Sequence, residues 1–410
     1  MRSDIAGYFL VYGIIRWLMT GFRNKWVYFA IEALNAFACS FYFNYIFFFL
    51  RDFYHFGNRE NLAFSAFHGF IYAVASWQLG KIIDRIGQVR ALKYGFVGMA
   101  FFLLLGLEFS GHLIGLMIIT AGWTISMCLI WPAIESLVSL NEPVRELPRM
   151  VGIYNAVWAA SSAISYFVGG AIFQHLGSKA LFLLPPAINI FQLILTLRFA
   201  ENNHQSVITA QLGEEGSAVE LKAPEKAVAE KFLKMAWLAN PLAYVAMNTF
   251  LAAIPQIARQ QNLTPAEAGL FCSIWMFMRF FAFVLLWRWD GWHYRFFYLF
   301  KAFLFLIAGF IILLISKNLW MLAVAQVFFG WAVGLIYYSS LFYAMDIGKA
   351  GASHGGLHEA AIGVGIFLGP AIGSGSLYLF PDRPNIGIYL ITTLLTVALL
   401  ALVRINFKKR

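Results

Sequence analysis

Charge is scarce in this 410-residue sequence. Asp, Glu, Lys and Arg together make up 12% of it, against roughly 25% in a soluble protein of ordinary composition. So few polar side chains leave a water-facing surface uncovered, which excludes a soluble enzyme or binding domain of this length. Cysteine is nearly absent. Cys39, Cys128 and Cys272 are far apart, each inside an apolar run, and supply neither a disulfide framework nor a metal cluster. No G-x4-G-K-[ST] loop occurs, which argues against ATP as a fuel. The histidines form no H-E-x-x-H pair, and Gly373-Ser374-Gly375 lacks the strand–turn–helix setting of a nucleophile elbow. The expectation is therefore no enzyme, no cofactor and no metal. Alternating segments of about ten residues, the mark of a membrane β-barrel, are missing. So is any basic run interleaved with aromatics, as a nucleic-acid groove requires.

What the chain has is apolar length. Hydrophobic residues are 61% of it and mean hydropathy is +0.71. Twelve apolar runs reach the length of about 20 residues that a helix needs to cross hydrocarbon. They are 27–50, 61–83, 91–110, 113–138, 148–173 and 180–197 in the first half. The second half holds 237–257, 265–286, 296–316, 319–344, 354–379 and 386–403. The expected fold class is an all-α membrane protein of twelve spans.

Residues 5–19 are apolar but short, contain Arg16 and have no small-residue cleavage site. They read as an interfacial helix with Arg16, Arg23 and Lys25 at headgroups, a thirteenth span being the alternative. With the N-terminus cytoplasmic, most Lys and Arg fall in inner segments. The outer loops hold only Arg51, Arg59, Lys179, Arg259, Lys317 and Arg383. That bias sets both termini inside and accounts for the net charge of +10 through anionic headgroups. Residues 200–224 mix Gly, Ser, Glu and Gln without apolar periodicity and read as a linker; 225–234 alternate Glu and Lys as a short surface helix would. The expected organisation is 1–26 interfacial, 27–199 and 235–404 as two six-helix bundles, 200–234 as linker and 405–410 as a basic tail.

The halves look related. Asp84 corresponds to Asp290 at an offset of 206, while Gly152-Ile-Tyr-Asn-Ala156 aligns with Gly356-Leu-His-Glu-Ala360, and Asn44 with Asn248, at 204. Between spans two and three lies Gly80-Lys-Ile-Ile-Asp84-Arg85-Ile-Gly87-Gln-Val-Arg90-Ala-Leu92. It closely resembles the signature loop of the major facilitator superfamily. Gly80 allows close helix contact, Gly87 a tight turn, and Asp84 can face a helix N-terminus or an arginine. The resemblance implies parallel six-helix halves around a site at mid-membrane. The second copy, Trp287 to Arg295, is degenerate. Gly356, Gly365, Gly369-Pro370 and Gly373 resemble the glycine-proline signature of proton-coupled antiporters, but in span eleven rather than five. Close helix packing explains the same spacing without a transport direction, and span four lacks the arginine that such antiporters carry.

Ionisable residues inside spans are costly and mark partners or wet cavities. Glu32, Glu135, Arg279, His358 and Glu359 are the candidates, with Asn35 one turn from Glu32. Glu359, beside His358, is the leading coupling group, because a carboxylate can take and release a proton as its surroundings change; a permanent Glu359–Arg279 bridge is the structural alternative. Glu135 reads equally as a gate partner for Arg85 or Arg90, and Glu32 as an inner-surface ion pair. Asn35, Tyr154, Asn155, Trp158, Tyr244, Asn248, Tyr337 and Tyr338 are candidates for the cavity wall, where aromatic faces with hydrogen-bonding tips suit amphipathic solutes. Most of the chain's 42 Phe must face lipid or pack instead.

The function expected is secondary active transport of a small solute by alternating access, with protons as coupling ion, by a monomer in a plasma or bacterial inner membrane. A transport-inactive sensor or assembly factor on the same fold is the alternative. Efflux of amphipathic compounds and uptake of a sugar or organic acid both stay open.

Overall fold

The computed structural model describes residues 25–140, 142, 147–200, 223–346 and 352–408. The proposed interfacial helix 5–19, linker residues 201–222 and the end of the basic tail lie outside them. The described residues form twelve spans: α1 (Trp26–Tyr54), α2 (Asn58–Ile86), α3 (Gln88–Phe109), α4a and α4b (Leu113–Met127 and Trp131–Ser139), α5 (Leu147–Leu176) and α6 (Ala180–Leu195). After them come α7 (Ala223–Gln260), α8 (Pro265–Arg288), α9 (Phe296–Ile315), α10 (Leu319–Asp346), α11 (Ala352–Leu379) and α12 (Ile386–Phe407). Eleven are long and apolar enough to cross a membrane. The twelfth, α2, is 29 residues long but carries a polar stripe described below.

Burial sorts the helices into two rings. The most apolar window of α7 is 83% buried, that of α12 only 33%. Central helices spend their surface on each other, whereas α3, α6, α9 and α12 turn apolar side chains outward, the arrangement a lipid solvent favours. α2 packs on α11 and α5 on α8, forming two long seams between the halves. Glycine sets the closeness of the first. A Cβ on Gly356 would lie 2.8 Å from Gly80 Cα, and one on Gly363 2.6 Å from Ala73 Cα. The halves meet at the end that carries Asp84, through Gly356–Gly80 and Gly152–Trp287, and again at the opposite end, through Gly373–Leu62 and Gly170–Pro265.

Two expectations need correction. The surface helix 225–234 is not separate: α7 runs unbroken from Ala223 to Gln260, because good helix formers continue into a face where Phe232, Leu233 and Met235 are buried. Lys25 is not at headgroups. It is 7% exposed, and its ammonium sits 2.6 Å from Glu142 Oε1 while donating to the carbonyls of Val138 and Leu140 at 2.7 and 2.8 Å. Burial pulls this amine below the usual lysine range, and the Glu142 carboxylate opposes that.

Span four breaks between Met127 and Trp131. Pro132 has no N–H for the carbonyl of Cys128, and its ring crowds that group. The break re-aims Trp131 and Glu135 towards the space between the halves.

Candidate functional site

A cavity of about 130 Å³ lies between the halves, lined from α1, α2, α4, α5, α7, α8, α10 and α11. Glu135, Arg279 and Glu359 reach it, and His68 lies in its wall. Its walls are largely aromatic, with Trp123, Trp131, Trp158 and Trp275 beside Tyr72, Tyr154, Tyr166, Tyr244 and Tyr337. Asn44 and Asn248, the pair related by the internal repeat, both line it.

On the acidic side the Tyr72 hydroxyl donates to Glu359 Oε2. This bond joins α2 to α11, one half to the other. Glu359 Oε1 lies 3.8 Å from His358 Nδ1. His358 itself turns into the second half, where its Nε2 meets Asn240 Nδ2 at 3.2 Å and Ser340 Oγ at 2.9 Å. Neighbouring helical residues point about 100° apart, so only Glu359 reaches the cavity. Glu32 is fully buried beneath the wall. Its Oε1 accepts from Trp131 Nε1 at 3.3 Å, and Oε2 has no partner among the described residues.

These contacts replace three expected ones. Glu135 makes no ion pair with Arg85 or Arg90, which are exposed at the bundle's end while Glu135 faces the cavity. Glu32 holds an indole N–H rather than a surface cation. Arg279 forms no bridge to Glu359, nor to any carboxylate among the described residues.

Arg279 is 1% exposed and caged by rings. Its guanidinium carbon lies 4.3 Å from the ring centre of Trp158, 4.9 Å from Tyr337, 5.5 Å from Phe283 and 5.9 Å from Tyr244. Trp158 and Tyr337 stack on each other at 5.8 Å. Its hydrogen-bond contacts are long, 3.4 Å to Tyr244 Oη and 3.7 Å to Met247 Sδ, and Nε has none among the described residues. Cation–π attraction offsets part of the cost of burying this charge but leaves its donors open.

Of the other expected wall residues, Asn35, Asn155 and Tyr338 lie off the cavity. Asn35 Oδ1 accepts from Cys39 Sγ at 3.6 Å, Asn155 is fully buried in α5, and Tyr338 packs on Trp292. Tyr72 and His68 were not among the expected residues. The signal for them is the run Asn61, Ser65, His68, Tyr72 and Ser76, polar at helical spacing and buried throughout. His68 Nδ1 lies 2.8 Å from Thr124 Oγ1.

The sequence model described as Major Facilitator Superfamily matches residues 28–239, more than half of the chain. The chain belongs to that superfamily. The tetracenomycin C resistance and export protein of Streptomyces glaucescens is 26% identical over 125 residues, covering 30% of this chain and 23% of that protein. Among solved structures, the nucleoside transporter NupG superposes with a TM-score of 0.69 at 12% identity, over 94% of this chain and all of that one. The human organic anion transporter MFSD10 gives 0.66 at 11%, covering 93% of this chain and 99% of that one. A POT family transporter in complex with a thioalcohol-conjugated peptide gives 0.67 at 13%, covering 94% and 96%. Such identities speak to the fold. The protein is thus an integral membrane member of a transporter superfamily, built on its twelve-helix fold.

The superfamily loop itself is ordered as its residues suggest in one respect and not in another. Gly87, at φ +90°, is the single residue between α2 and α3, a conformation that favours glycine. Gly80 carries the contact with Gly356. Asp84 is exposed and has no ion pair among the described residues, so the expected arginine partner is absent there. The span-eleven glycines divide their work: Gly356 and Gly373 approach α2, while Gly365 and Gly369 approach Pro241 and Val245 of α7.

Proposed function

We propose that this protein is a proton-coupled secondary transporter in which the two halves rock about the central cavity, with Glu359 as the group that carries the proton. The observation that bears most weight is the Tyr72–Glu359 hydrogen bond, which spans the seam between the halves at the cavity wall. When the carboxylate is ionised this bond has a charged acceptor and contributes about 1.5–3 kcal/mol; when it is protonated the bond is neutral and contributes about 0.5–1.5 kcal/mol. A proton therefore loosens the α2·α11 seam by roughly 1–1.5 kcal/mol, about a tenfold change in the balance between two arrangements. That is the scale on which a ligand shifts a conformational equilibrium.

The basic loops support an orientation with the Asp84 end inside the cell. The test is proton movement in proteoliposomes challenged with a panel of anionic, neutral and cationic solutes. Wild type should couple flux of some solute to proton movement, and Glu359→Gln should lose the coupling while still exchanging the solute. Proton flux that survives Glu359→Gln would move the role to Glu135 or Glu32.

A further inference from the structure

The hydrogen-bond inventory of the cavity wall is lopsided. Four cavity-lining residues have a fully buried polar atom without a partner among the described residues: Asn44 Nδ2, Trp123 Nε1, Trp275 Nε1 and Arg279 Nε. All four are donors. Indole and guanidinium nitrogens cannot accept a hydrogen bond, so for three of them the assignment does not depend on how an amide is oriented. Trp123, Trp275 and Arg279 are each 1% exposed. Leaving a buried donor unmade costs about 1–3 kcal/mol, more for a charged one, and such groups in a cavity recognise whatever supplies the missing acceptors.

We propose that the solute is a small organic anion whose oxyanion group seats on Arg279 and accepts as well from the two indole N–H groups. This deepens the transport reading above and rests on the same cavity. The remaining wall fixes the body of the solute. Trp158 and Tyr337 present ring faces beside the guanidinium, and Met127 and Met247 are adaptable apolar surface. Size follows from the volume. At about 15 Å³ for each water-sized group, a cavity of about 130 Å³ holds on the order of ten such groups. A monocyclic aromatic carboxylate matches that size, its planar ring, and the fork geometry in which arginine binds carboxylate. Glu135 and Glu359 line the same cavity and repel an anion when ionised; on the proton-coupled reading they are protonated when the solute is loaded.

The test is equilibrium binding to the full chain in nanodiscs, without a pH gradient, read by quenching of tryptophan fluorescence. The probes are benzoate, phenylacetate and nicotinate, each against its amide, with benzylamine as the cationic counterpart. At least one carboxylate should bind tenfold or more tighter than its amide, and Arg279→Gln should abolish that preference. Trp123→Phe and Trp275→Phe keep an aromatic ring and remove the N–H donor, so each should weaken the carboxylate several-fold, and more than its amide, even if Arg279→Gln fails to fold. Equal affinity for acids and amides, preference for benzylamine, or a carboxylate preference that survives both indole changes would overturn the proposal. Carboxylate binding without proton coupling in the liposome assay would leave this inference standing and sink the coupling assignment. Proton-coupled flux of a neutral or cationic solute would do the reverse.

Discussion

Tyr72→Phe removes one oxygen from the seam between the halves and leaves the ring in place. In the closed arrangement Glu359 then loses its donor while remaining 5% exposed. When the seam opens, water reaches the carboxylate and the loss disappears, so the change acts on the difference between the two arrangements. A hydrogen bond to a charged acceptor is worth about 1.5–3 kcal/mol net, and 1.4 kcal/mol is a factor of ten. The open fraction should therefore rise by roughly ten- to a hundredfold. Cys39 is a native reporter: it lines the cavity and is 4% exposed. With Cys128 and Cys272 replaced by Ala, the rate at which a water-soluble thiol reagent modifies Cys39 follows the open fraction when opening is fast. Tyr72→Phe should accelerate modification by at least tenfold. Glu359→Gln, which keeps a neutral bond to Tyr72, should accelerate it less. The double variant should be no faster than Tyr72→Phe alone, because both changes remove the same interaction. Unchanged labelling in Tyr72→Phe, or effects that simply multiply, would refute the claim that this bond holds the seam.

Gly356→Ala tests the packing beneath that bond. The added methyl would meet Gly80 Cα at 2.8 Å and the Ser76 carbonyl at 3.0 Å, both backbone atoms that cannot swing aside, so a cost of about 1–3 kcal/mol is expected, visible as a lower thermal midpoint in nanodiscs. Gly375→Ala, with nothing within 4 Å of the new atom, should not lower the midpoint and should raise it slightly, because alanine is the better helix former. The Lys25–Glu142 pair gives a pH signature. Because burial depresses the Lys25 pKa below its ordinary 10.5, the folded chain releases this proton before the unfolded chain does. Stability from this group should therefore rise with pH in the window just below 10.5, where the unfolded state binds more protons. Lys25→Met should erase that rise, and a slope that persists in the variant would count against it. Glu142→Ala, which strands the ammonium, should destabilise more than the double change Lys25→Met/Glu142→Ala.

The spans were legible because hydrocarbon thickness imposes a length on every apolar run, and that constraint is local to each run. The signature loop and the span-eleven glycines were legible for a related reason: a tight turn at Gly87 and close approach at Gly356 both demand a specific residue at a specific place. Partners across the molecule were not legible. Glu32, read with its neighbours, looked like a surface group; its donor, Trp131, reaches it only because Pro132 breaks span four and re-aims the indole. Lys25 followed a basic stretch and so resembled a headgroup residue, yet the carbonyls of Val138 and Leu140 and the Glu142 carboxylate take up its ammonium. Tyr72 could have been found. Its stripe of polar residues on α2 repeats at helical spacing, and a lipid-facing helix has no use for such a face. Arg279 was identifiable as costly, but only the surrounding rings and the missing carboxylate distinguish a binding group from half of a structural ion pair.

The internal repeat sharpens what this asymmetry means. Gly152 and Gly356 occupy equivalent places, each at the seam that its own helix makes with the other half: Gly152 against Trp287 of α8, Gly356 against Gly80 of α2. Three residues on, the equivalence fails, with Asn155 in one copy and Glu359 in the other. The α2·α11 seam thus carries a bond whose strength depends on a proton. The α5·α8 seam carries Arg279 on the face of Trp158, a cation–π contact rather than a bond to a carboxylate. An oxyanion competes directly for that guanidinium. On the proposed reading the two seams therefore answer to different ligands, the proton at one and the solute at the other. The same two bundles form both seams, so loosening either one leaves the other holding the halves together. Coupling then requires no wire between the sites. It follows from two separate contacts, each worth a few kcal/mol or less, opposing a single rigid-body motion.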